Sequence, residues 1–301
     1  MKAFVTGAAG YIGGSVAAAL ISAGHAVTGL VQSEARAKEV RDLGIEPVVG
    51  TLSDAALLAR KAREADAVIN AASSDDRGAV EAMLPVLAES GKLFIHTSGS
   101  SIVGDRAAGE HTDTVYEDDT PIQPLPGKAA RIAIDQLVLA SAKNGVRAVV
   151  LCPTMIYGRG RGAHRESIQV PRLIALARKY GVARHVGRGE NIWSNVHIDD
   201  LVSLYLLAFE KAPAGAFYYA ENGENSYREV AAGISRMLGF GGRTKPLPID
   251  QAAAELGESA AHFSFGSNSR VRAVRARREL GWTPKGRALL DEIERGSYAG
   301  L

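Results

Sequence analysis

Near its start the chain carries three glycines at three-residue spacing, Thr6-Gly7-Ala8-Ala9-Gly10-Tyr11-Ile12-Gly13, directly after the apolar run Ala3-Phe4-Val5 and ahead of an apolar segment over 12–23. A glycine triplet between a strand and a helix has a steric reading. Gly7 permits a tight turn, Gly10 lets the backbone approach a pyrophosphate, and Gly13 lets the helix pack closely on the strand. The helix N-terminus then holds the anion with its unpaired N–H groups. Such a turn serves the chemistry of a dinucleotide. Other chemistries have less support: the seven histidines, His25, His96, His111, His164, His185, His197 and His262, fall nowhere at zinc-ligand spacing, so no metal is expected. The single cysteine, Cys152, cannot close an internal disulfide.

The turn needs a framework of alternating strands and helices. Runs at 3–5, 26–31, 47–49, 67–69, 93–95 and 148–151 are apolar or β-branched with little alternation, as parallel strands covered on both faces require. Helical segments are expected over 12–23, 34–43, 53–63, 79–90 and 128–143, several closed by a glycine such as Gly24, Gly44, Gly91 or Gly145. This alternation predicts an α/β fold, a doubly wound parallel Rossmann sheet with a smaller mixed C-terminal lobe. The later elements are helices over 170–180, 199–211, 227–238, 250–256, 270–280 and 289–298, strands near 192–196 and 217–219, and a linker at Lys245-Pro246-Leu247-Pro248. The expected division is a dinucleotide-binding domain over 1–157, with 192–218 returning to it, and a substrate lobe of 158–191 and 219–301.

Composition removes several classes. At 46% hydrophobic and 23% charged, the 301 residues read as a globular chain rather than a disordered one. The charge excess is 35 minus 33, or +2, too small to make nucleic acid or an anionic membrane the default partner. No apolar run approaches the roughly 20 residues that span a bilayer. Met1-Lys2-Ala3-Phe4-Val5 does not read as a leader, so a cytoplasmic protein is expected.

The glycine turn with Tyr11-Ile12 resembles that of the extended and atypical short-chain dehydrogenases/reductases. Asn70-Ala71-Ala72, His96-Thr97-Ser98-Gly99, Cys152-Pro153-Thr154-Met155-Ile156-Tyr157-Gly158, Asn195-Val196-His197-Ile198-Asp199-Asp200-Leu201 and Glu279-Leu280-Gly281-Trp282-Thr283-Pro284 resemble further motifs of these proteins, in the right order. The resemblance implies an oxidoreductase or epimerase-like enzyme with a nicotinamide cofactor. It places the cofactor along Gly7, Ala9, Gly10, Tyr11, Ile12, Gly13, Gln32, Ser33, Arg36, Leu52, Ala71, Ala72, Ser73, Thr97, Ser98, Arg131, Pro153, Met155 and Ile156, and the substrate against Ser100, Tyr157, Trp193 and Asn195. The end of the second strand reads Val31-Gln32-Ser33, without the acidic residue that binds a ribose 2′-hydroxyl, while Arg36 and Lys38 follow. This favours NADP, with NAD the alternative and Glu34 arguing mildly for it.

The resemblance also implies a tyrosine four residues before a lysine as proton donor. None of the nine tyrosines has a lysine at that distance. Aligned on Asp135, the lysine position is Arg131 and the tyrosine position Gly127; the serine position at strand five is Gly99, flanked by Ser98 and Ser100. Arg131 is therefore expected to contact the cofactor rather than to catalyse. Tyr157, His164, Trp193, Asn195 and His197 border the nicotinamide or the cleft by resemblance and are alternative donors, each with a packing role as the competing account. The basic stretch from Gly158 to Arg165 reads as a mobile loop that selects an anionic substrate, or as a solvated loop. Arg270, Arg272, Arg275, Arg277 and Arg278 read as a solvated helix face. Two functions follow: an NADP-dependent enzyme acting on a small carbonyl or alcohol substrate with a non-standard donor, or a sensor that binds NADP without turnover. A homodimer through the helices over 79–90 and 128–143 is plausible by the same resemblance.

Overall fold

A computed structural model describes residues 1–300. Its strands are β1 (Lys2–Thr6), β2 (Ala26–Val31), β3 (Glu46–Val49), β4 (Ala67–Asn70), β5 (Leu93–Thr97), β6 (Tyr116–Glu117), β7 (Arg147–Pro153), β8 (Met155–Tyr157), β9 (Ala183–Val186), β10 (Ile192–His197), β11 (Ala216–Ala220), β12 (Glu224–Ser226), β13 (Thr244–Leu247) and β14 (Val271–Arg272). The helices are α1 (Tyr11–Ser22), α2 (Glu34–Arg41), α3 (Ala55–Glu64), α4 (Arg77–Met83), α5 (Pro126–Ala140), α6 (Gln169–Tyr180), α7 (Ile198–Lys211), α8 (Tyr227–Met237), α9 (Ile249–Leu256), α10 (Glu258–Ala260), α11 (Val274–Leu280) and α12 (Leu289–Arg295), with a π-helical turn at Ala261–Phe265.

Seven strands form one parallel sheet in the order β11-β7-β5-β4-β1-β2-β3. The order reverses between β1 and β4, which opens a crevice at their carboxyl ends. Helices cover both faces, so β4 and β5 are buried throughout and β7 is buried beyond Arg147. Val16 and Leu20 of α1 and Leu201, Leu204 and Tyr205 of α7 pack on one side. Leu58 of α3, Val80 and Met83 of α4 and Ile134 and Val138 of α5 pack on the other. A separate core gathers Leu173, Ile174, Trp193, Tyr227, Ile234, Phe265 and Ile293 beneath the later elements. No helix among the described residues is long and apolar enough to cross a membrane.

Several elements differ from expectation for local reasons. The helix expected over 79–90 stops at Met83, where Pro85 begins a single 3₁₀ turn. The strand near 192–196 joins β8 and β12 instead of the large sheet. Lys245-Pro246-Leu247 is no linker but most of β13, parallel to β9; proline is tolerated there because the sheet has only two strands, both of them edges. Of the late arginines, Arg277 and Arg278 are exposed as expected of a solvated helix face, whereas Arg270 and Arg275 are largely covered. Arg270 and Arg272 pair with Glu224 at 2.8 and 3.0 Å, and Arg277 pairs with Glu221 at 2.7 Å. Burial disfavours a charge on Glu224, yet the two guanidiniums hold its carboxyl down at about 2.

Candidate functional site

The glycine turn is closed by contacts that leave no room for side chains. Gly7 has φ +72°, and a Cβ there would lie 2.9 Å from Ala72 Cα. A Cβ on Gly13 would lie 2.4 Å from the Gly7 carbonyl oxygen. Thr6 Oγ1 accepts from the N–H groups of Ala71 and Ala72 and donates to Asn70 Oδ1 at 2.7 Å, which locks the ends of β1 and β4 together. α1 starts at Gly10 without a side-chain cap, so its first N–H groups face the crevice ready for an anion. The cradle fits a dinucleotide pyrophosphate.

The second glycine cluster packs against the first. Tyr11 donates to the Gly158 carbonyl at 2.8 Å, Arg161 N–H donates to Ser15 Oγ at 3.0 Å, and His164 N–H donates to the Ala9 carbonyl at 3.2 Å. A Cβ on Gly162 would lie 2.6 Å from Gly14 Cα. The stretch is therefore a wall fixed to α1, not a mobile flap over the substrate, and Arg161 is paired with Asp199 at 2.7 Å.

Three cavities follow one another along the crevice. The first, about 280 Å3, is lined by Gly7, Ala9, Gly10, Gln32, Arg36, Leu52 and Ala72, with no acidic residue in its lining. Ser33 does not reach it as a free group: its hydroxyl caps α2, accepting from Arg36 N–H at 3.3 Å. The Arg36 guanidinium, about half exposed, pairs with Glu39 at 2.8 Å. The second cavity, about 290 Å3, is lined by Gly10, Tyr11, Ile12, Gly13, Ala71 and Ile156. The third is a cleft of about 640 Å3 under the later elements, lined by Ile12, Ser98, Ser100, Ser101, Lys128, Arg131, Pro153, Ile156, Trp193 and Phe263.

Beside that cleft, at Gly127, where the resemblance places a tyrosine, another element fills the space. A Cβ on Gly127 would lie 3.1 Å from the Phe263 ring, which comes in from the π-helical turn. Lys128 and Arg106 flank that ring at 5.1 and 5.8 Å from its centroid. Burial and the neighbouring Arg131 push the Lys128 ammonium below its usual pKa. Arg131 donates to Asp75 at 2.8 and 2.5 Å and to Ser101 Oγ at 3.1 Å, and this bonding lowers the Asp75 carboxyl. Beneath the cleft floor, Ser98 donates to Asp135 Oδ2 at 2.6 Å. His96 Nε2 lies 3.6 Å from Asp135 Oδ1, and neither atom has another partner. Burial raises Asp135 to about 7 and lowers His96 to about 4.

Several residues expected at the site are held elsewhere. Tyr157 is fully buried, donates to the Arg287 carbonyl at 2.8 Å and packs edge-on against His197, so it does not face the cleft. His197 Nδ1 caps α7 by accepting from Asp199 N–H. Asn195 donates to Asn225 at 3.1 Å, Thr97 is bonded to Tyr205 at 2.6 Å, Met155 is buried beside Asn195 in β8, and Ser73 accepts from Asp75 N–H. Trp193 lines the cleft, but its Nε1 donates to the Ser267 carbonyl at 2.7 Å. Ser100 lines it too, with Ser269 Oγ at 2.9 Å. Sequence reasoning missed Lys128 and Phe263. For Lys128 a signal existed, since it stands three residues before Arg131 and seven before Asp135 on one face of α5.

Comparison with known proteins agrees with this architecture. Residues 3–218 match the NAD dependent epimerase/dehydratase family. An uncharacterised protein of Schizosaccharomyces pombe is 31% identical over 315 residues, covering 99% of this chain and 100% of that protein. A 4-hydroxy-2-methyl-3-oxo-4-farnesyl-3,4-dihydroquinoline-1-oxide ketoreductase of Stigmatella aurantiaca is 28% identical over 312 residues, covering 94% of this chain and 92% of that one. The crystal structure of dTDP-glucose 4,6-dehydratase from Bacillus anthracis in complex with NAD superposes with a TM-score of 0.78 at 18% identity, over 100% of this chain and 97% of that one. The chain belongs to the NAD dependent epimerase/dehydratase family and is an NAD(P)-dependent enzyme of the oxidoreductase and epimerase kind.

Proposed function

We propose that the protein is an NADP-dependent oxidoreductase of small carbonyl or alcohol substrates that carry a negative charge, working with a proton donor other than the family's tyrosine. The observation that carries this reading is the junction of the cavities. Ile12, Ile156, Ile168 and Gln169 line both the pyrophosphate cavity and the large cleft, so a dinucleotide laid on the glycine turn reaches the chamber of Ser98, Lys128 and Arg131. Bound there, the nicotinamide would supply or take up a hydride.

The protein's own groups divide the remaining work. The first N–H groups of α1 hold the pyrophosphate, and Gln32 and Arg36 meet the adenosine ribose. The Arg36–Glu39 pair is solvent-exposed and worth little, so the guanidinium is free to turn to a 2′-phosphate. Ile156 and Pro153 would back a bound nicotinamide, and Arg131 would reach its ribose. Lys128 makes no salt bridge in the cleft, whose lining also carries the exposed Glu258, and would attract a substrate carboxylate or phosphate, taking over the selectivity expected of the 158–165 stretch. Support for turnover rather than sensing comes from the cleft itself, which is lined by Ser98 and Lys128, with Asp135 beneath its floor, where the resemblance places a tyrosine.

The test is NADPH oxidation with 4-carboxybenzaldehyde, with its methyl ester and NADH as controls. Turnover of the carboxylate with NADPH is expected, together with at least about tenfold lower kcat/KM for the ester. NADH binding tighter than NADPH would overturn the cofactor assignment, and equal turnover of the ester would overturn the anionic substrate.

A further inference from the structure

The polar side chains buried under the cleft can be given a direction of donation at each hydrogen bond. Asn70 Oδ1 accepts from Thr6, so its Nδ2 is the atom that meets His96 Nδ1, at 3.1 Å. An amide nitrogen only donates, which makes Nδ1 an acceptor and places the proton of a neutral His96 on Nε2. Nε2 faces Asp135 Oδ1 at 3.6 Å, and Asp135 Oδ2 accepts from Ser98. Hydrogen bonds therefore run from Thr6 through Asn70 to His96, whose Nε2 stops short of bonding the carboxyl group, and separately from that carboxyl group to Ser98 at the cleft.

The surroundings of Asp135 contain no group that would hold it permanently ionised. His96 approaches from β5, Cys152 from β7 and Tyr219 from β11, all neutral and buried. On its own helix Arg131 is the nearest cation, and that guanidinium is bound to Asp75. A carboxyl so placed exchanges its proton near neutrality.

We propose that Ser98 and Asp135 form the proton relay of the reaction, in place of the missing tyrosine. With Asp135 protonated, the Ser98–Asp135 hydrogen bond reverses so that the acid O–H donates to Ser98 Oγ and the Ser98 hydroxyl turns to the substrate; in carbonyl reduction the Ser98 O–H bond breaks as its proton passes to the substrate oxygen, and the carboxylic acid proton of Asp135 moves to Ser98 Oγ. The hydride comes to the carbonyl carbon from the reduced nicotinamide, and Asp135 is left as carboxylate until water in the emptied cleft returns a proton through Ser98. Alcohol oxidation runs the same transfers backwards. Ser98 is the catalytic residue and Asp135 its proton store, with His96 positioning the carboxyl. This inference rests on the oxidoreductase reading.

The test joins infrared difference spectroscopy of the full chain, from about pH 5 to about pH 9, with NADPH-driven reduction of 4-carboxybenzaldehyde. A carboxylic acid band is expected that fades through neutral pH and is absent in Asp135→Asn. Ser98→Ala moves its midpoint upward, because the lost hydrogen bond favoured the carboxylate. In turnover, kcat falls as pH rises through the same midpoint, and Ser98→Ala and Asp135→Asn each lower kcat at least about 100-fold with KM within about threefold. If Asp135→Asn does not fold, the midpoint shift in Ser98→Ala decides the matter. Absence of the band overturns the relay alone. Wild-type NADPH binding without turnover of the aldehyde overturns the oxidoreductase reading and the relay's catalytic role together. Loss of the pH limb in Lys128→Met, with the limb kept in Asp135→Asn, overturns the relay and assigns the proton to Lys128.

Discussion

Two pairs of glycines in this molecule have opposite meanings. At Gly7 and Gly13 an added Cβ would meet backbone atoms at 2.9 and 2.4 Å, so the residue type is dictated by the fold of the turn. At Gly99 and Gly127 the nearest atoms are the ends of side chains, Arg131 Nη1 at 3.3 Å and the Phe263 ring at 3.1 Å. The backbone there tolerates a side chain, with Gly99 extended at φ −172°. The glycine turn is thus fixed by backbone sterics, whereas at Gly99 and Gly127 the neighbours are side-chain ends that can move. A family's fold and its catalytic groups are separable in this way because the fold positions a site without specifying its chemistry.

The largest effect should come from breaking the sterically fixed turn. Gly13→Ala must displace the Gly7 carbonyl, and NADPH affinity measured by fluorescence titration should fall at least about 100-fold, since the turn no longer presents its N–H groups together. Arg36→Ala sharpens the cofactor assignment: NADPH affinity should fall about tenfold while NADH affinity stays within about twofold, because only a 2′-phosphate uses that charge.

A third prediction concerns the buried acid. The folded pKa of Asp135, about 7, lies above its value in an unfolded chain, so the folded state binds more protons and stability falls as pH rises from about 4 to about 7. His96 acts in the opposite sense: its folded value of about 4 gives stability that is present above about 6.5 and lost as pH falls toward 4. Asp135→Asn removes the first effect alone, so its melting temperature relative to wild type should rise by about 3 °C between pH 5 and pH 8 in calorimetry. A parallel pair of pH curves would contradict the buried, elevated acid. The smallest effect belongs to the second pair of glycines. Gly99→Ala should leave the melting temperature and NADPH affinity within about twofold of wild type in binding and about 1 °C in melting, since the contacting guanidinium end can give by a few tenths of an ångström.

What was legible in the sequence tracks the range of the forces involved. The glycine turn, the sheet strands and the absent Tyr-x-x-x-Lys are local patterns, and spacing alone conveys them. Helix ends failed where a single residue intervened, as at Pro85. Of the residues expected along the cofactor, Gly10, Gln32, Arg36, Leu52 and Ala72 do line one cavity. It was not legible where the decisive contact is long-range: Phe263 over Gly127, Gly162 against Gly14, and Tyr157 turned inward to Arg287 carry no periodicity that betrays them. Arg270, Arg272 and Arg277 show the same limit, because their partners Glu221 and Glu224 lie about fifty residues away.

The account is tested most directly by following NADPH oxidation at 340 nm with 4-carboxybenzaldehyde as the acceptor, alongside NADPH binding in the same preparation. It predicts catalytic turnover by the wild-type chain despite Gly127 and Gly99, lost in Ser98→Ala. Tight NADPH binding with no oxidation of the cofactor by this or any other carbonyl would contradict it.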